Sequence, residues 1–415
     1  MASLSDMSSV FLYIDPGTGS MLFSILIGIV GTLVFFGQQV ILKIKFIISG
    51  GKVEKLTKSK IPYVIFSDHK RYWTVFKPIC DEFEHRGICA EYWTASPDDP
   101  ALSEHYSYIK TVFIGEGNKA YAKLNMMNAG TVLATTPNLD VYQWKRSKNV
   151  DRYVHIPHSI DDLMGYHMFG LDFYDSVLLS GHFQEKNIRS LEAMRNTKKK
   201  ELPVVGCPYL DVMAERFQSD KSSHSEPGST PHVLLAPSWG KRAIFSVFGK
   251  KIIEALIETG FDITIRPHPQ SYVSEKDIIE PLQQQFPDSE HLHWNRDNDN
   301  FNALATSDIL ITDFSAIMIE YSMIFGKPFI YADTSFSPAP YDAAWFDEPI
   351  WHLKVIGQLG VPLEEKSFPV LKQVIQKTIT STEFKTNIKK ISDEAWQNKG
   401  KAATAVVEYL TREEK

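Results

Sequence analysis

From about residue 61 onward the sequence alternates short apolar runs with amphipathic stretches, a rhythm that few folds accommodate. Apolar runs of four to seven residues separated by helix-length segments are the pattern of βαβ units around a parallel sheet. The spacing predicts strands over Pro62–Ser67, Ile88–Trp93, Ile109–Ile114, Thr131–Thr135, Arg152–Ile156, Ser176–Leu179 and Leu202–Val205, with helices over Tyr72–Arg86 and His182–Met194. The rhythm then pauses at residues 218–231, whose Ser, Gly and Pro content is that of a linker. It resumes with strands at His232–Pro237, Phe261–Arg266, His291–Trp294, Asp308–Thr312 and Pro328–Ala332. Helices are expected at Phe245–Thr259, Asn300–Thr306 and Ala316–Phe325, and again through the tail from residue 368 to 415. The fold class is therefore α/β, with two Rossmann-like lobes at 61–217 and 232–367 and a cleft between them. Ligands of such sheets bind beyond the carboxyl ends of the strands.

The segment ahead of this body has a different character. Met21 to Leu42 carries no charge over 22 residues. As a helix it would span about 33 Å, enough for a hydrocarbon core of about 30 Å. Only Asp6 and Asp15 precede it, whereas Lys43, Lys45, Lys52, Lys55, Lys58 and Lys60 follow. That asymmetry places the C-terminal side in the cytoplasm. A cleaved signal peptide fits less well, since the leading segment has no positive charge. Residues 1–60 are thus expected to form one N-terminal transmembrane helix with a basic juxtamembrane stretch, a single-pass anchor in the cell inner membrane. A buried core helix is the alternative.

Composition narrows the function. A mean hydropathy of −0.18 excludes a multi-span transporter. Lys and Arg total 44 against 50 Asp and Glu, without the basic excess of a nucleic-acid binder. Three cysteines are too few for a disulfide framework or a four-thiolate zinc site, and suit buried small apolar positions. No G-x-G-x-x-G or G-x-x-x-x-G-K-[ST] is present, so neither a dinucleotide-binding dehydrogenase nor a P-loop NTPase is supported.

Three clusters fall at strand ends. His158, in Tyr-Val-His-Ile-Pro-His-Ser-Ile-Asp-Asp, is placed to act as a general base or, equally, to be a histidine satisfied by a backbone carbonyl. Arg266 and His268 lie between Pro267 and Pro269, which restrict the directions they can take. Arg offers a donor fork suited to phosphate. The third is Ser-Asp-Ile-Leu-Ile-Thr-Asp-Phe-Ser-Ala at 307–316, a strand running into a helix. Thr312, Ser315 and the free N–H groups of the helix start could hold an anion there, or Asp313 or Ser315 could simply cap the helix. Ser238 and Lys241 could reach phosphates, and Glu320 could accept a ribose hydroxyl. His291 and His293 share a strand face without a third ligand, and Asp161, Asp162 and Asp297–Asp299 suit loop charges better than metal ligands, so no metal site is expected.

In this order the clusters resemble the CDP-glycerol glycerophosphotransferase family, the teichoic-acid polymerases and primases. RPHP at 266–269 and SDILITDFSAIMIEYSMIFGKPFIYAD at 307–333 resemble the family's R-x-H-P and S-D-x-L-I-T-D-Y-S-S-x-x-F-D-Y followed by K-P. LLAPSW at 234–239 resembles its L-Y-A-P-T-W, and VGCPYLD at 205–211 its G-x-P-R-x-D. His158-Ser159 takes the place of H-G-T. The resemblance implies a GT-B-like enzyme that moves a phospho-alcohol from a CDP-alcohol to a lipid-linked or glycan acceptor, with CMP released and no cofactor beyond that substrate. Arg266, His268, Thr312 and Ser315 would hold the pyrophosphate, His158 would be the base, and Asp313 and Glu320 match acidic positions that support the site. H-G-T-P has become His158-Ser159-Ile160-Asp161, Ser-Ser has become Ser315-Ala316, and F-D-Y has become Ile319-Glu320-Tyr321. These departures bear on the alcohol and the acceptor more than on the reaction. A nucleotide-sugar glycosyltransferase or sugar epimerase would use the same lobes, and an inactive membrane scaffold would keep the fold without the chemistry.

Overall fold

The computed structural model describes residues 60–220, 230–297, 299–313, 317–332 and 337–412. The expected membrane span at 21–42, with its lysines up to Lys58, lies outside the described residues, as do most of the linker and Ser315. Among the described residues no helix is long and apolar enough to cross a membrane.

Residues 60–415 form one compact unit containing two sheets. The first takes strands β1 (Ile61–Ser67), β2 (Ala90–Thr94), β3 (Ile109–Phe113), β4 (Asn128–Ala134), β5 (Asn149–His155) and β6 (Ser176–Val177) in the order β3-β2-β1-β4-β5-β6. The second takes β7 (His232–Leu235), β8 (Asp262–Ile265), β9 (Leu292–Trp294), β10 (Ile309–Thr312), β11 (Phe329–Tyr331) and β12 (Gly360–Pro362) in the order β12-β11-β10-β7-β8-β9. Every pairing between these strands is parallel. Parallel strands are covered on both faces, which is why their sequences read as unbroken apolar runs. In β1, Val64 and Phe66 enter one core while Ile65 enters the core on the opposite face. In the second sheet Leu234 and Leu310 face one side, and Val233, Leu235, Ile309 and Ile311 the other.

Three expectations are corrected. The strand at Leu202–Val205 reduces to isolated bridges, Ser176 with Glu201 and Leu179 with Val204, because its neighbour β6 is only two residues long. The helix over Phe245–Thr259 breaks into Ile244–Phe248 and Lys250–Ile257 at Gly249, whose φ of 52° disfavours any residue with a Cβ. Cys89 is exposed, unlike buried Cys80 and Cys207. The short β12 was not foreseen. It begins at Gly360, where a Cβ would meet the Phe329 carbonyl oxygen at 2.2 Å, so the strand pairs there only as glycine.

The chain does not stay within its lobes. The last helix, Ala402–Thr411, returns to the first sheet, where Val406, Val407 and Leu410 share a core with Phe76, Ile79 and Phe83 of the helix Trp73–His85. The segment after β11 also crosses back, placing Ala343 and Ile350 in the first lobe's core. Arg195 holds this strap. It donates to Asp172 at 2.8 Å and to Asp342 at 2.5 Å, and lies 4.8 Å from the ring centroids of both Phe169 and Trp345. Asp342 also accepts from the Phe169 N–H at 2.8 Å.

Removing the Asp342 carboxylate leaves Arg195 paired with Asp172 alone and the Phe169 and Gly170 N–H groups without their acceptor, at a cost of about 3–5 kcal/mol together. Asp342→Ala is expected to lower the unfolding free energy by that amount in urea titrations, with little change in the denaturant slope.

Candidate active site

The carboxyl ends of β7, β8, β9 and β10 bring one group of side chains together. β10 ends in Thr312 and is followed by Asp313, both fully buried. The Thr312 hydroxyl donates to the Ala236 carbonyl at 2.7 Å. It therefore ties β10 to the end of β7 and does not face a phosphate, as the motif had implied. Asp313 works on the same loop. Its carboxylate accepts the Ser238 N–H at 3.0 Å on both oxygens and the Ile244 N–H at 3.1 Å. Beside it, Glu275 accepts the Gly240 N–H at 2.7 Å. Ser238 thus meets Asp313 through its backbone, and the loop it begins is fixed by two carboxylates.

Arg266 and His268 leave the end of β8. The Arg266 guanidinium donates to the Asn295 side chain beyond β9, a neutral partner that leaves its charge uncompensated by direct contact. Partial burial lowers its pKa, opposed by the charges of Asp297 and Asp299. His268 is open to solvent, and its Nδ1 accepts the Gln270 N–H at 3.1 Å. That bond puts the neutral ring's proton on Nε2, which becomes a donor. Trp239 lies over the ring at 6.5 Å. Partial burial also lowers the His268 pKa, against the charges of Asp313 and Glu275. The helix Ile317–Phe325 follows β10. The residues 314–316 between them, with Ser315, are outside the described set.

The first lobe contributes His158, three residues beyond β5. The alternative in which a backbone carbonyl satisfies it is not what the structure holds, because Nδ1 is buried without a hydrogen-bond partner. The ring packs on Tyr72 at 5.0 Å. Burial and then the charge of Arg71 lower its pKa, against Asp161, so the neutral base is favoured. His155, which the sequence reading passed over, is fully buried, with its Nε2 3.0 Å from the Tyr166 hydroxyl. Burial and His158 push its pKa down to about 3. The signal is present in Tyr-Val-His-Ile-Pro-His, whose first histidine falls inside the expected strand Arg152–Ile156.

Between the lobes stands Glu320, with its carboxylate 3.4 Å from the Tyr209 hydroxyl. Burial pushes its pKa up to about 7, with the charge of Asp161 adding and Tyr209 opposing. Asp161 and Asp162 are not loose loop charges. Asp161 pairs with His352 at 2.8 Å, and Asp162 accepts the Trp351 N–H at 2.7 Å. Among the described residues, no group of three His, Cys, Asp or Glu side chains is placed to hold a metal ion. His291 pairs instead with Asp262 at 2.7 Å.

The family model for CDP-Glycerol:Poly(glycerophosphate) glycerophosphotransferase matches residues 171–338, a span that contains Arg266, His268, Asp313 and Glu320. The wall teichoic acid polymerase TagF, in a structure with CDPG, superposes with a TM-score of 0.54 at 13% identity, covering 91% of this chain and 97% of that one. A putative UDP-N-acetylglucosamine 2-epimerase from Listeria monocytogenes superposes with a TM-score of 0.58 at 13% identity, covering 86% and 98%. The UDP-GlcNAc 2-epimerase of Methanocaldococcus jannaschii, in complex with UDP-GlcNAc and UDP, gives 0.52 at 11% identity, covering 85% and 99%. These likenesses show the two-lobed, GT-B-like fold. No curated protein matches the chain in sequence.

The buried histidine gives a pH signature. A folded-state pKa near 3 lies below the ordinary value of 6.5, so below about pH 6.5 the unfolded chain takes up a proton that folded His155 refuses. Stability contributed by the neutral ring is complete above that pH and falls at up to about 1.4 kcal/mol per pH unit towards pH 3. Urea titrations at pH 7, 6 and 5 are expected to show this loss in the native chain, and a shallower loss in His155→Gln.

Proposed function

We propose that this chain moves a phospho-alcohol, glycerol phosphate foremost, from a CDP-alcohol to a hydroxyl of a lipid-linked or glycan acceptor, releasing CMP in the synthesis of a teichoic-acid-like cell-envelope polymer. One observation carries the reading. The span that matches the glycerophosphotransferase family is also the span that places Arg266, His268 and the Asp313-held loop on one carboxyl edge. The acceptor oxygen attacks the β-phosphorus, the bond to the bridging oxygen breaks, and CMP leaves. His158 takes the acceptor proton. Arg266, the His268 Nε2–H and the N–H groups at the start of Ile317–Phe325 meet the charge that grows on the leaving phosphate. Ser315, between β10 and that helix, belongs to the same proposal. Thr312 acts beneath it by fixing the strand ends.

We place the reaction at the cytoplasmic face of the inner membrane, with residues 21–42 as the single-pass anchor. The lysines at 43–60 would then lie against anionic headgroups. A nucleotide-sugar enzyme is the second reading, favoured by the TM-score of 0.58 with the epimerase.

Purified full-length chain is expected to release CMP from CDP-glycerol when a glycan-lipid acceptor is supplied. Thermal shifts should appear with CDP-glycerol or CDP-ribitol and be absent with UDP-sugars, and the reverse pattern would favour the second reading. His158→Ala is expected to lower kcat by about 10²–10⁴-fold. Arg266→Ala and His268→Ala should each cost about 10²–10³-fold. Because burial keeps His158 below its ordinary pKa, the acid limb of kcat/KM should fall below pH 6.5. Unchanged turnover in both histidine variants would remove the roles assigned here.

A further inference from the structure

The first lobe holds a polar site that the donor chemistry does not use. Asp68 Oδ1, Thr135 Oγ1, His155 Nδ1 and His158 Nδ1 lie buried there without a hydrogen-bond partner, and the Thr136 hydroxyl has none beyond the Asp68 carboxyl, whose pKa it lowers. They are not scattered. Asp68 follows β1, Thr135 and Thr136 follow β4, and His155 and His158 stand at and beyond the end of β5. These three strands are neighbours in the sheet, with Phe66 opposite Ala134 and Ala134 opposite His155. Thr135 and His155 are at most 1% exposed. Buried polar groups in folded proteins are almost always bonded, and a cluster of unbonded ones at a strand edge leaves hydrogen-bonding capacity for water or a ligand entering from the neighbouring space.

Next to it opens a cavity of about 520 Å³, which shares Asp68 with the cluster and reaches His69, Ser96, Asp98, Glu116 and Tyr121. The turn from Asp68 to Tyr72 joins the two, since Tyr72 packs on His158. The charge of the lining selects the ligand. Asp68, Asp98 and Glu116 supply three carboxylates, and the one lysine in the wall, Lys70, is ion-paired with Asp98. Arg71 lies against the Tyr72 ring at 4.9 Å, and its charge acts on both Asp68 and His158, so two cations face the three carboxylates and one carboxylate is left in excess. A phosphate can only accept hydrogen bonds and would meet like charge here. Alcohol hydroxyls both donate and accept, matching a carboxylate, two threonine hydroxyls and neutral imidazoles together.

We propose that this cavity and the carboxyl edge of β1, β4 and β5 bind a neutral, polyhydroxylated group, a sugar or polyol end without phosphate. Taken with the proposed transfer reaction, on which this last step rests, that group is the end of the acceptor, and Asp68 and Thr136 orient it so that one hydroxyl meets His158. The enzyme then starts on a neutral glycan and does not extend a phosphodiester chain end.

The test is saturation-transfer NMR on the full chain with cellobiose, chitobiose and glycerol 3-phosphate as probes. CDP-glycerol thermal shifts are recorded in parallel. A neutral disaccharide is expected to bind and resist displacement by glycerol 3-phosphate. Asp68→Asn and Thr136→Val should each weaken it about tenfold or more, the scale of one lost buried hydrogen bond. The rim variant Glu116→Gln, at an exposed position that tolerates the change, should weaken it less and admit glycerol 3-phosphate better. CDP-glycerol shifts should persist in all three variants. Binding of glycerol 3-phosphate in place of every disaccharide, or sugar binding unaltered in Asp68→Asn and Thr136→Val, would overturn the proposal. Loss of CDP-glycerol binding with sugar binding intact would instead overturn the donor assignment.

Discussion

A parallel sheet covered on both faces leaves its strands one productive outlet. Side chains along β1 or β10 enter cores above and below, and polar chemistry can begin only where the strands end. Both sheets obey this. His155 and His158 mark the end of β5, Ala236 to Trp239 the end of β7, Arg266 and His268 the end of β8, Asn295 the end of β9, and Thr312 and Asp313 the end of β10. The apolar runs that specify the sheets thereby also specify where the chain can do chemistry.

Within that constraint, carboxylates serve as organisers of backbone more than as reactants. Asp313 holds two N–H groups of the loop from Ser238 to Ile244. Glu275 holds the N–H of Gly240, and Asp342 that of Phe169. A buried carboxylate bonded to fixed N–H groups cannot easily rearrange. Donors set in this way need no reorganisation when charge develops beside them, which is the economy of preorganised electrostatic sites.

Much of the lobe architecture was legible, because strand and helix periods depend on local patterning alone. The expected strand Asp308–Thr312 differs from β10 by one residue at its start, and Phe261–Arg266 from β8 by one residue at each end. What failed depended on neighbours. Leu202–Val205 had the pattern of a strand but faced a two-residue partner. Thr312 sat correctly at a strand end, yet whether its hydroxyl faced the cleft depended on the nearest carbonyl across the sheet, that of Ala236. His155 was hidden by alternation, which signals burial without saying whether a buried nitrogen finds a partner. Asp161 and Asp162 looked like solvated loop charges because their partners, His352 and Trp351, are almost two hundred residues away.

Those long-range contacts matter because the proposed base and the phosphate-facing group share no strand. Their relation rests on whatever joins the lobes: the Arg195 strap, the returning helix Ala402–Thr411 and the pair of Asp161 with His352. In that pair, burial alone would lower the His352 pKa, but the bond and charge of Asp161, with Asp162 behind it, raise it. The pair is therefore charged at and below the ordinary histidine range. The same Asp161 carboxylate raises the pKa of His158 against burial and adds to burial in raising that of Glu320. One side chain thus contacts the element that bridges the lobes and sets part of the field at a group in each of them.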